Sequence, residues 1–434
     1  MTRAAPGPAP AAGPQPSPSV LRDRSFQIAL LIAVVVALGF GLVVPVLPLF
    51  ARDFGVGLFA VTGVVAVFAA VRLLSNPYTG ALTDRIGGRR AVGWGAIIVA
   101  VSSLLAAGAP NYWALLTLRG LGGFGSALFF NALLTLVIRV VPSDQRGRAV
   151  GILQGAFLFG IAFGPTVGGL LAQPLGLRWP FVIYAGFCAG AGLIALRGLP
   201  RDEEVAGRHV DAARGADEEP VAAEEGRRPL GLAAMARAAV QLASHRAFLA
   251  AMIMMAASRW VTTGVRFSLV PVFGKEVVGA SEFMIGVAVT LAAVTHLLLV
   301  WPAGKANDLL GRRAVAIPAY LAFAGISLLL ATAGSVPAFL AVMALFGVGS
   351  ALTSPGPPAI VADVVPKEQT GMGVGVLNAA GDLGSVLGPL VSGFLAQTAG
   401  YGWGFGASGV VLALGALAAL LMRETLPGKA PASS

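Results

Sequence analysis

The chain has 434 residues, 56% apolar and only 12% charged, with a mean hydropathy of +0.82. A soluble domain carries about 25% charged residues and cannot hold this much apolar surface in water, so an ordinary globular fold is excluded. The formal net charge of +10 would suit a nucleic-acid partner, but its distribution along the chain argues otherwise.

Residues 1–25 are rich in Ala, Pro and Ser and read as a disordered cytoplasmic N-terminus. Met1-Thr2-Arg3 runs into prolines rather than the short apolar region and cleavage site of a secretory signal. Apolar blocks follow at 26–50, 57–82, 91–109, 113–138, 149–173 and 179–197, the first acting as an uncleaved insertion signal. A polar stretch, 198–246, then carries nine acids and seven bases and reads as a cytoplasmic linker. Six more blocks lie at 247–273, 283–304, 314–333, 336–362, 370–397 and 403–422, before a cytoplasmic tail at 423–434. Each block is about 18–27 residues, enough to cross roughly 30 Å of hydrocarbon as a helix. A backbone in lipid must satisfy its own hydrogen bonds, and these blocks lack the alternation of barrel strands, so the fold class is an all-α integral membrane protein with twelve spans.

Of the 30 Lys and Arg, only Arg52, Arg178 and Lys275 fall in loops on one face, and Arg72, Arg119, Arg259 and Arg266 lie inside spans. The other 23 sit in the termini and every second loop, which is the positive-inside pattern and places both termini in the cytoplasm. The basic charge is therefore a topology signal rather than a nucleic-acid footprint. Arg (26) far exceeds Lys (4), as in a GC-rich bacterial source, and the expected location is a bacterial plasma membrane.

Several chemistries find no support. Gly120-Leu121-Gly122-Gly123-Phe124-Gly125 satisfies a dinucleotide fingerprint, but it lies within an apolar span with no strand before it. No G-x-x-x-x-G-K-[ST] occurs, so no nucleotide is expected. His209, His245, His296 and the single Cys188 lack metal-ligand spacing, so neither a metal nor a cofactor nor an enzymatic centre is expected.

The two halves repeat. A shift of 224 aligns residues 140–173 with 364–397 at 17 identities in 34 positions, and it puts Gly80, Asp84, Gly87 and Arg89 on Gly304, Asp308, Gly311 and Arg313. A six-plus-six repeat places a substrate site between the halves near the bilayer midplane.

Four segments carry a resemblance. Gly80-Ala81-Leu82-Thr83-Asp84-Arg85-Ile86-Gly87-Gly88-Arg89-Arg90 follows G-x-x-x-D-R-x-G-R-R, departing at Gly88, and Gly304 to Arg313, including Arg312, repeats it with Leu309 in place of a base. Arg119 to Ala127 is similar to R-x-x-Q-G-x-G-x-A, with Gly122 in place of Gln, and Gly160 to Gly169 matches G-x-x-x-G-P-x-x-G-G in full through Gly160, Gly164, Pro165, Gly168 and Gly169. Over residues 26–422 the chain resembles major facilitator superfamily transporters, specifically twelve-span drug:proton antiporters. The resemblance implies that the Gly80–Arg90 and Gly304–Arg313 loops gate alternation, and that the Gly160–Gly169 motif goes with export. On the residues alone, Asp84 could cap the incoming helix, the loop could merely anchor topology, and the glycine strip could serve ordinary packing, with Pro165 bending the span. The repeat of this motif at Gly384, Gly388 and Pro389 predicts matched helices at the interface between halves.

Charged and polar residues inside spans are costly in lipid and normally face a cavity or a partner. The candidates are Arg72 and its repeat partner His296, Arg119, Arg259, Arg266, Asn131, Gln154 with its partner Asn378, and Asp382, the one carboxylate well inside a span. Asp382 could carry the coupling proton or form a static pair with an arginine. The reading is a monomeric secondary transporter that works by alternating access and drives efflux of a small amphipathic compound with protons. Proton-coupled uptake, facilitation and a non-transporting receptor are the alternatives.

Overall fold

The computed structural model describes residues 21, 23–142, 145–204, 242, 244–366 and 369–426. The expected disordered N-terminus before residue 21, most of the linker and the end of the tail lie outside the described residues.

Among the described residues there are twelve helices long and apolar enough to span a membrane: Arg24–Arg52, Leu58–Ile86, Gly88–Ala107, Tyr112–Val140, Arg146–Leu175, Trp179–Gly198, Arg246–Glu276, Glu282–Leu310, Arg312–Thr332, Val336–Val364, Thr370–Ala399 and Tyr401–Leu421. They coincide with the apolar blocks and run a few residues past most of them. Side-chain caps start several: Asp23 accepts from the Phe26 N–H at 2.9 Å, Asn111 from Ala114 at 2.9 Å and Ser281 from Met284 at 3.3 Å. Each satisfies one of the orphan donors at a helix start. Three spans change course in mid-length, and the ninth ends on a short 3-10 turn, Leu330–Thr332. The first is interrupted at Val44-Pro45 and the tenth at Ser354-Pro355, where proline withholds the backbone donor. The seventh passes through a π-helical segment, Val261–Leu269, between two α-helical stretches.

Lipid offers no hydrophobic force between helices, so close backbone approach at small residues must supply the packing. The fifth span lies on the first in this way. A methyl on Gly164 would fall 2.5 Å from the Gly41 Cα, and one on Gly168 would fall 2.2 Å from the Leu42 carbonyl oxygen. The eleventh lies on the seventh in the same manner, with Gly384 against the Ala256 carbonyl and Gly388 against Trp260. These strips pack each half internally, and the same two helices, fifth and eleventh, also stand at the interface between halves, as the repeat of the motif predicts. The helix from Arg146 to Leu175 continues through Pro165.

The halves meet along two related seams, fifth span with eighth and second with eleventh. Gly286 faces the Pro165 backbone, Gly169 faces Glu282, and Gly393 faces Thr62. The Thr166 N–H donates to Thr290 Oγ1 at 3.1 Å, and the Phe59 N–H donates to Gln397 Oε1 at 3.0 Å. At the same end Arg52 Nε donates to Glu276 Oε1 at 2.6 Å, joining positions 224 apart that are equivalent in the repeat. The Tyr401 hydroxyl donates to the other oxygen of Glu276 at 2.6 Å. All these contacts lie at the end opposite the Gly80–Arg90 loop. Toward that loop's end, the basic face, Gly147, Gly151 and Gly155 of the fifth span have open space where a side chain would be. The contacts between the halves named above thus gather at one end, and these three glycines at the other end meet nothing.

Candidate functional site

Between the halves lies a cavity of about 160 Å3, walled by the first, second, fourth, fifth, seventh and eleventh spans. Its wall holds Arg72, Arg119, Arg259 and Asp382 among apolar and aromatic side chains that include Phe40, Phe68 and Phe267. The interruption of the first span places Val43, Val44 and Leu47 on this wall. On the seventh span, Arg259, Thr263 and Phe267 follow at four-residue spacing, so one helix face lines the cavity into the π-helical segment. Such segments are frequent at functional sites.

Asp382 is largely buried, its side chain 15% exposed, and it reaches across the seam between halves. Arg72 Nη2 stands 3.6 Å from one carboxylate oxygen, and Asn76 Nδ2 donates to the other at 3.3 Å. Asn131 Nδ2 in turn donates to Asn76 Oδ1 at 3.2 Å and to Thr79 Oγ1 at 2.7 Å. A polar chain therefore runs from the fourth span through the second to Asp382 on the eleventh. Asn76 and Thr79 were not among the candidates read from sequence. The signal was present, because Arg72, Asn76 and Thr79 share one helix face at spacings of four and three.

The other candidates divide. Arg119 is buried at 3% exposure, with its guanidinium 4.7 Å from the Phe68 ring centre. Arg266, also buried, donates to the Val289 carbonyl at 3.1 Å and stands 5.3 Å from the Phe267 ring centre, so it ties the seventh span to the eighth instead of lining the cavity. His296 Nδ1 pairs with the Ser350 hydroxyl at 3.0 Å, away from Asp382. Gln154 and Asn378 are exposed and lie outside the cavity wall. Asn131 acts one layer behind the wall, through Asn76.

The loop motifs have a different architecture from the one expected. Asp84 sits in the last turn of the second span and pairs with Arg139 at 3.0 Å, both side chains about half exposed. It does not cap the third span. That task falls to Asp202, just beyond the sixth span, which accepts from the Gly88 N–H at 3.1 Å. In the second half Glu424 does the same, accepting from the Arg312 and Arg313 N–H groups at 2.8 and 3.1 Å. Burial pushes the Glu424 carboxyl up, but N–H donation from Leu426, Arg312, Arg313 and Thr425 outweighs this and holds it below its ordinary range. Gly87 and Gly311 turn at φ of 88° and 111°, where a side chain would be strained and would also strike Asp202 or Glu424. Arg312 bonds both Asp308 and Asp363, the latter at 3.0 Å. Gly88 stands where Arg312 does, and Arg139 stands where Asp363 does. The first half thus supplies its cation from the fourth span, with polarity reversed relative to the second. Arg85 and Arg90 are exposed and Arg89 is half-buried at the same face, as are Gly80 and Gly304, which meet nothing.

The sequence matches the profile of the Major Facilitator Superfamily over residues 29–279 and 255–434. The chain belongs to this superfamily of membrane transporters. Residues of this transporter are similar to the quinolone resistance protein NorA of Staphylococcus aureus, 30% identical over 158 residues, which is 36% of this chain and 39% of that protein. The multidrug resistance protein 2 of Bacillus subtilis is 28% identical over 188 residues, 43% of this chain and 47% of that one. The matched region thus spans less than half the length of these relatives. Among solved structures, a D-xylose-proton symporter superimposes with a TM-score of 0.69 at 17% identity, covering 94% of this chain and 99% of that one. The human organic anion transporter MFSD10 gives 0.60 at 20% identity, covering 91% and 99%. These two likenesses establish the fold.

Proposed function

We propose that this transporter expels a small amphipathic compound from a bacterial cell in exchange for protons, with the basic face cytoplasmic and the structure therefore inward-open. The observation that carries the reading is the Asp382–Arg72–Asn76 contact. It places an acid in the cavity wall and at the same time across the seam between halves. While ionised, Asp382 is held to Arg72 and Asn76 on the other half, and in a low-dielectric setting that attraction resists separation of the second and eleventh spans. A proton arriving from outside neutralises Asp382, which spares the empty carrier the cost of burying a bare carboxylate as the outer seam closes. On the inner side the proton leaves, the pair with Arg72 re-forms and the substrate enters. The gates at either end serve this cycle: Arg52, Glu276 and Tyr401 hold the outer end shut, and the Asp84 and Arg312 clusters brace the inner loops of each half. The similarity to a quinolone resistance protein and a multidrug resistance protein supports the direction and the type of cargo, as does the complete Gly160–Gly169 motif.

The test uses everted membrane vesicles from expressing cells, energised to an acidic lumen and followed with a pH-gradient dye. Addition of a transported compound from an amphipathic panel that includes a fluoroquinolone should dissipate part of the gradient, and vesicles lacking the protein should not respond. Accumulation of a compound without any proton movement would contradict the coupling.

A further inference from the structure

The charge balance of the cavity wall names a class of cargo. Three guanidinium groups, Arg72, Arg119 and Arg259, face one carboxylate. Asp382 is already engaged by Arg72 and Asn76. Among the described residues no carboxylate lies within ion-pair distance of Arg119 or Arg259. Arg119 is the more telling of the two, being 3% exposed with its Nε–H lacking any hydrogen-bond partner. Its close neighbours are the Phe68 ring, Tyr184 and Cys188, which offer no anion. A buried, unpaired arginine costs free energy, and cores normally remove such a group or give it a partner. A site where it persists at the wall of a cavity between two moving halves is arranged for a negative charge that arrives from elsewhere. Arg259 lies on the same wall and is exposed to the cavity, so it can supply the second donor of a two-armed clamp. The remaining wall, with Phe40, Phe68, Val65 and Phe267, suits an apolar or aromatic body and gives no hydration to an inorganic ion.

We infer that the cargo is an amphipathic organic anion, its carboxylate or equivalent monoanionic group held between Arg119 and Arg259 and its apolar body against the phenylalanines. The inference rests on the reading of this cavity as the substrate site. It is independent of proton coupling and of direction, because binding requires no gradient.

The experiment is equilibrium calorimetry on the purified full-length protein in detergent, with three probes of one shape: 2-naphthoate, its methyl ester and 2-naphthylmethylammonium. The carboxylate should bind at least tenfold more tightly than the ester, a difference of about 1.4 kcal/mol, and the ammonium should bind most weakly. Arg119→Gln and Arg259→Gln should each cost the carboxylate tenfold or more and leave the ester unchanged, while Asp382→Asn should keep the carboxylate's advantage. If Arg119→Gln does not yield folded protein, Arg259→Gln carries the test, since its side chain reaches the open cavity. Equal affinity for all three probes, or preference for the ammonium, overturns the anionic class and leaves the cavity as a substrate site. Absence of binding by any of the three overturns both the class and the site on which it rests.

Discussion

Gly286 on the eighth span lies against the Pro165 backbone of the fifth, and a methyl there would fall 2.3 Å from the Pro165 carbonyl oxygen. Carbon and oxygen rest comfortably near 3.5 Å, so Gly286→Ala forces the two backbones apart by about 1 Å or tilts them. Overpacking of this kind costs about 1–3 kcal/mol. The cost falls only on the state in which this seam is closed, and it is relieved when the halves part at this end. The equilibrium should therefore move roughly 5- to 150-fold toward the state open on that face. Folding should not suffer, because alanine favours a helix interior over glycine by about 1 kcal/mol in either state. The assay is a spin-label distance measurement between Leu175→Cys and Val277→Cys, two exposed positions at the affected end, in a Cys188→Ala background. Gly286→Ala should raise the population of long distances and slow transport. Gly406→Ala, where a methyl meets nothing, should leave both unchanged. An unaltered distance distribution in Gly286→Ala would refute the seam as the closing surface.

Three further outcomes follow from the geometry. Asp84→Asn should insert normally, since an exposed pair contributes at most about 1 kcal/mol to stability, yet transport should fall about tenfold, or 1.4 kcal/mol in the governing step. The swap Asp84→Arg with Arg139→Asp should restore it, because the second half already carries an acid at the position equivalent to Arg139; a swap as slow as the single variant would contradict the pairing. Glu424 is held below its ordinary range, so its contribution to stability is complete above the unfolded value of about 4.3 and is lost as pH falls through the lower folded value. Glu424→Ala should accordingly melt several degrees below wild type at pH 7, with the gap narrowing under acid, and a pH-independent gap would count against the cap. For topology, a cysteine at Gly215 should be shielded from an impermeant thiol reagent in intact cells and one at Val277 should react; the reverse pattern would invert the orientation.

The architecture was legible because its determinants are one-dimensional. Block length and polarity set the spans, and the 224-residue shift exposed the repeat before any contact was known. The same reasoning faltered wherever a side chain could choose between partners. Asp84 had a helix start one turn away, and capping was a sound local expectation. It pairs instead with Arg139, 55 residues on, while Asp202, from a segment read as linker, takes the cap. Arg266 and His296 were charged or polar in spans just as Arg119 was, and only packing distinguishes the Val289 carbonyl and the Ser350 hydroxyl from a cavity. Asn76 went unnoticed because an uncharged amide in a span is a weak signal until Asp382 is seen across from it. The glycine strips announced close approach correctly, but a strip does not say which helix approaches.

The central claim is that Asp382 links proton binding to the parting of the halves, and Asp382→Asn tests it most directly. The substitution keeps the size and the hydrogen bond from Asn76 but removes the charge that faces Arg72. Proteoliposomes containing the variant are measured two ways with one transported compound: accumulation driven by an imposed pH gradient, and exchange of labelled for unlabelled compound with no gradient. The account predicts that gradient-driven accumulation is lost while exchange continues at a rate within a few-fold of wild type. A variant that still concentrates its substrate with unchanged pH dependence would contradict it, and loss of exchange and of folded protein together would make Asp382 a structural partner of Arg72 only.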